Sequence, residues 1–134
     1  MPSDASVRWG WLKAMYIYTL FGAGGFGLGM VFFPGTIQSV LRFPPQDPVV
    51  LGLYGSFLLA SGLIAIPALR SPLKFAPLLL VQLVYKPIWL AVVALPLFLK
   101  GQFPFYVVFI SAVFLSYIIG NLIAIPFSYL FSKK

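Results

Sequence analysis

The chain contains no cysteine and no histidine, and its only acidic residues are Asp4 and Asp47. Without cysteine there are no disulfides and no thiol redox chemistry, and without histidine as well there is neither a zinc site nor histidine-ligated haem. Two isolated carboxylates supply no acid pair for general acid–base work, so no catalytic residue, metal or cofactor is expected. Charge is scarce altogether: charged residues make up 8% of the 134, against about a quarter in an ordinary soluble domain. Such a chain has little with which to hold a surface in water.

What is present instead is apolar surface, 61% of residues, gathered in runs that exceed the ~20 residues a helix needs to cross a bilayer. The basic excess, a net charge of +7, does not point to nucleic acid. Its lysines and arginines stand singly at the ends of apolar runs, the pattern of membrane anchoring rather than of a phosphate-tracking groove.

The runs predict an all-α integral membrane protein, one domain over residues 1–134, with spans at about 11–33, 49–69, 75–99 and 105–131. The N-terminal MPSDASVRWGW is followed by no small-residue cleavage site, so the first run is expected to remain as the first span. An even number of spans puts both termini on one side, with Arg8, Lys13, Arg70, Lys74, Lys133 and Lys134 there and Arg42 and Lys100 opposite. That bias predicts cytoplasmic termini. Trp9, Trp11, Tyr16, Tyr18, Tyr106 and Tyr129 are expected at headgroup level.

Between the first two spans lies PGTIQSVLRFPPQDP, in which Ile37, Val40 and Leu41 share one helical face. A short interfacial helix is expected over Thr36 to Phe43, stopped by Pro44 and Pro45. Asp47 and Pro48 read as the N-cap and first turn of the second span. The pentapeptide LIAIP occurs at Leu63 to Pro67 and again at Leu122 to Pro126, as a parallel duplication of two hairpins would produce and as chance produces in apolar sequence.

The first span contains Gly22, Gly24 and Gly27 in the spelling GxGxxG. A dinucleotide fingerprint needs a strand before it and a helix after it, and this one lies inside an uninterrupted apolar run. Its glycines are instead expected to let backbones approach, with Gly22, Gly25 and Gly29 on one packing face. Gly52, Ser56, Ala60 and Gly55 offer a facing stripe on the second span. The packing partner is the second span or another protein, and a groove for a lipid tail is the third option.

Lys86 stands near the middle of the third span, where a cation costs about 2.5–3.5 kcal/mol on insertion scales. Neither Asp4 nor Asp47 is expected inside the hydrocarbon to offset that cost. Gln82 and Trp89 lie one turn away, and Pro87 frees the carbonyl of Leu83. Pro77, Pro87 and Pro96 predict a bent or unwound span whose carbonyls accept from the ammonium. Tyr54, Ser116, Tyr117 and Asn121 on neighbouring spans complete a candidate polar pocket. Four roles stay open for Lys86: a snorkelling or neutral lysine, an ion pair with another subunit, a site for an anionic or polar headgroup, and covalent chemistry.

A first span ending in VFFPG, a short segment up to PPQDP and the glycine-rich LGLYGSFLLASGLIAI together resemble the small bacterial four-span proteins grouped as DoxX-like. The resemblance implies a four-helix membrane fold in a bacterial inner membrane and carries no functional residue over. The functional expectation is a non-enzymatic subunit of a larger membrane assembly, in contact with lipid and with other membrane subunits or copies of itself. The alternative is an oligomeric carrier or binding protein for a lipid, quinone or isoprenoid-like ligand whose polar group meets Lys86.

Overall fold

A computed structural model describes residues 7–132, which leaves Asp4, Lys133 and Lys134 outside the described residues. The fold is all-α, with no strand among the described residues. Four helical segments are long and apolar enough to cross a membrane: α1 (Trp9–Phe32), α3 (Pro48–Arg70), the run Pro77–Leu99, and α6 (Phe105–Ala124). The chain is therefore a membrane protein built on four spans.

The ends of the spans follow from local chemistry. Asp47 caps α3 by accepting from the Val49 amide at 3.0 Å, and Pro48, which has no N–H to leave unpaired, opens the helix. The segment before it is α2 (Pro34–Leu41), slightly earlier than expected because Pro34 itself starts the helix. Of its three apolar residues only Leu41 is fully buried, while Val40 faces out. Arg42 closes α2 in the left-handed conformation and lays its guanidinium over the Phe105 ring, and Phe43 packs on Tyr106. These contacts fasten the exit of α2 to the start of α6.

The third span is α4 (Pro77–Trp89), a π-helical turn over Leu90–Ala94, and α5 (Leu95–Leu99). The irregularity expected from its prolines is thus a widened turn after Pro87 rather than an unwound stretch. The fourth span ends earlier than expected: α6 stops at Ala124, Ile125 is extended, and α7 (Phe127–Leu130) follows Pro126. The two LIAIP copies therefore differ in backbone. Pro67 sits inside α3, which continues to Arg70, whereas Pro126 forces the residue before it out of the helix. The side chain of Arg8 donates to the Ile123 carbonyl freed by that break, at 3.0 Å.

The α1–α3 pair is the most extensive contact in the bundle, and its geometry corrects the expected glycine face. Gly24 and Gly27 lie against Gly62 and Gly55, so close that a Cβ on Gly27 would stand 2.6 Å from the Gly55 carbonyl oxygen. Gly25 has nothing within 4 Å of a built Cβ, and neither has Gly52; Ser56 and Ala60 are exposed. Gly22 faces the Tyr117 hydroxyl and Gly29 faces Ile37 of α2. The close approach thus runs along Gly24 and Gly27, one helical step round from the expected face.

Two core clusters result. One, at the end bearing the termini, gathers Leu12, Met15, Tyr16, Ala65, Ala68, Leu79, Tyr117 and Ala124; the other, toward α2, holds Ala23, Met30, Leu51 and Leu58. Tyr16 and Tyr18 are not headgroup anchors. Tyr16 is fully buried and donates to the Pro72 carbonyl at 2.6 Å, and Tyr18 stacks on Tyr117 with centroids 4.0 Å apart. Arg8, Lys13, Arg70 and Lys74 are exposed at the termini-bearing end, Arg42 and Lys100 at the other.

Candidate functional site

The buried row of α4 is Leu79, Gln82 and Lys86, spaced so that one apolar and two polar side chains point into the bundle. Lys86 is 2% exposed. Its amino group donates to the Tyr85 hydroxyl at 2.8 Å and lies 4.4, 4.7 and 4.3 Å from the ring centres of Tyr85, Phe114 and Tyr117. Aromatic faces, not unwound carbonyls, are what this cation meets. The two ring faces of Phe114 and Tyr117, at about 0.5–2 kcal/mol each, and the hydrogen bond to Tyr85 together offset the ~2.5–3.5 kcal/mol cost of placing lysine at membrane depth. The one carboxylate among the described residues, Asp47, caps α3 at the far end of that helix. Lys86 faces the interior of the bundle, away from the outer surface that another subunit would approach.

The rings are themselves positioned. Phe114 and Tyr117 stand one turn apart on the buried face of α6, and the Tyr117 hydroxyl donates to the Tyr18 carbonyl at 3.0 Å. Tyr85 and Trp89 both meet Phe114 edge to face, at 5.8 and 5.2 Å. The Tyr18 hydroxyl pairs with Ser116 at 2.6 Å.

Beside Lys86 the helices line a half-open cavity of about 340 Å³, at the small end of the volumes usual for ligand pockets. Its walls come from α1, α3, α4 and α6, with Leu41 of α2 closing one side. Tyr18, Phe26, Tyr54, Trp89, Phe109 and Phe114 supply flat aromatic surface; Lys86 is its one basic side chain. The lining is thus apolar with one cation and several phenols, a chemistry that fits a lipid-soluble molecule with a single anionic or hydrogen-bond-accepting group.

Of the six residues that the sequence pointed to, Lys86, Trp89, Tyr54 and Tyr117 line this cavity. Gln82 and Asn121 do not. They lie one turn toward the termini-bearing end, Gln82 donating to Thr19 at 3.3 Å and Asn121 fully buried. Sequence reasoning missed Tyr18, Tyr85, Phe109 and Phe114. The adjacency of Tyr85 to Lys86 and the helical spacing of Phe114 to Tyr117 were the signals that mark two of them.

No protein-family model, curated protein or solved structure matches the chain, so the DoxX-like resemblance rests on sequence pattern alone.

Proposed function

We propose that this membrane protein is a non-enzymatic binding protein or carrier for an amphiphile that enters from the bilayer. The apolar body would occupy the aromatic cavity, and an anionic or accepting head would meet Lys86 and its neighbouring phenols. The observation that carries the reading is the cavity itself: about 340 Å³ of space at membrane depth with a 2%-exposed lysine in its wall. A cation maintained in lipid surroundings marks function more often than packing.

Native mass spectrometry of the protein extracted gently from its membrane tests this. A small lipophilic mass retained by the parent protein and lost from Lys86→Met is expected. A protein that carries no such mass, or a mass that persists in Lys86→Met, refutes it.

One further observation favours an assembly role alongside binding. Gly52, Ser56 and Ala60 form a small-residue row at four-residue spacing on the open side of α3, a surface that lets another helix approach. An oligomer or hetero-complex that dissociates on Ala60→Leu supports this role, and an assembly indifferent to that change excludes this row.

A further inference from the structure

One turn below Lys86, toward the end that carries the termini, lies a second polar layer that the cavity does not use. Gln82 and Asn121 are 2% and 0% exposed, and Thr19, the hydrogen-bond partner of Gln82, is also fully buried. Gln82 spends its Nε2 on Thr19, and Thr19 donates to the Met15 carbonyl at 2.8 Å. The Gln82 Oε1 and both side-chain polar atoms of Asn121 have no hydrogen-bond partner within the protein. The two residues stand at the same level of the bundle. Lys86 touches Tyr117, α4 and α6 run antiparallel, and one turn toward the termini leads from Lys86 to Gln82 and from Tyr117 to Asn121.

A buried amide without a partner costs on the order of 1–3 kcal/mol, and this layer contains three such atoms. The chemistry of the set says what satisfies them. Two are acceptors and one is a donor, so a cation would leave the Asn121 amide nitrogen unpaired and an anion would leave both oxygens unpaired. A cation would also stand close to Lys86. Water, which donates and accepts, fits all three. One turn further on, a polar pocket of about 270 Å³ opens around the α6 break, lined by Arg8 and by residues from Leu122 to Ser128.

We infer that Thr19, Gln82 and Asn121 form a buried water-binding site that links the Lys86 amino group to the polar pocket at the termini-bearing end. Lys86 then exchanges its protons with bulk solvent through this layer, independently of whatever the cavity binds.

The test is exchange between water and the Nζ protons of Lys86, read by NMR on protein labelled with ¹⁵N-lysine, with Lys86→Arg to assign the signal. Exchange in the parent protein should slow roughly threefold to tenfold in Asn121→Leu, the factor attached to one net hydrogen bond on the path. The melting temperature should fall as well, because leucine displaces water that Gln82 needs. A dry layer gives the opposite pair of results: unchanged exchange, and a higher melting temperature as orphaned amide atoms are removed. Where Asn121→Leu does not fold, Gln82→Met is read the same way, and unchanged exchange there overturns the inference.

Discussion

A single methyl group at Gly27 puts the α1–α3 seam to the test. A Cβ there would stand 2.6 Å from the Gly55 carbonyl oxygen and 2.9 Å from the Leu58 carbonyl carbon, and closer still to the Leu59 amide nitrogen. All three are backbone atoms of a helix, so no rotamer change relieves the contact. Ordinary contact begins near 3.4 Å, so the helices must part by at least about 0.8 Å at this point, the difference from the 2.6 Å contact. A gap of about 0.5–1 Å forfeits a quarter to a half of the dispersion attraction across it. Overpacking of this kind costs about 1–3 kcal/mol, against ~0.5–1 kcal/mol returned by alanine over glycine in a helix. Gly25→Ala has nothing within 4 Å and keeps only the gain. Thermal unfolding in mild detergent, followed by circular dichroism, should therefore place Gly27→Ala below the parent protein and Gly25→Ala level with it or above. A Gly27→Ala protein as stable as the parent, or a Gly25→Ala protein just as damaged, would refute the seam.

Three further substitutions have defined outcomes. Asp47→Ala removes the cap of α3 and should lower stability by about 1 kcal/mol, while Asp47→Asn, which keeps an accepting oxygen, should lose far less. Tyr16→Phe strips the buried Pro72 carbonyl of its 2.6 Å donor and should cost about 1–3 kcal/mol; an unchanged melting temperature would mean that the carbonyl finds another partner. Lys86→Met should leave stability unchanged or raise it, because it removes a costly cation from membrane depth, and the same melting scan checks this. A large loss there would show that the aromatic cage depends on the cation for its own packing.

What was legible in the sequence divides along a physical line. Span positions were readable because lipid demands long apolar runs, and the observed helices start and stop within two residues of expectation except where α6 ends early. The inward face of each span was not readable, because a helix in lipid is apolar on its outer side as well and the usual contrast between faces disappears. Gly25 and Gly27 look alike in such a run, yet one is open and the other touches backbone. Amide and amino side chains escape this ambiguity, although serine does not, for Ser56 and Ser116 are exposed. Gln82, Lys86 and Asn121 are rare in their spans and all three proved buried. The aromatic cage was missed for the opposite reason: with 18% of the chain aromatic, no single phenylalanine or tyrosine stands out.

The cage and the cavity also explain one another. Phe114 and Tyr117 hold the lysine through their faces and Tyr85 through its hydroxyl, and the same rings, with Trp89 and Tyr54, form the wall of the empty space. A lysine needed only for packing would be replaced without loss by methionine, whose flexible apolar side chain fills such a gap at no electrostatic cost. Four tyrosines, Tyr18, Tyr54, Tyr85 and Tyr117, line the site; the Tyr117 hydroxyl is held by the Tyr18 carbonyl, that of Tyr18 by Ser116, and that of Tyr85 accepts from Lys86. Lys86 is the one basic group among them, and a single accepting group is the ligand feature that this arrangement can distinguish from plain hydrocarbon.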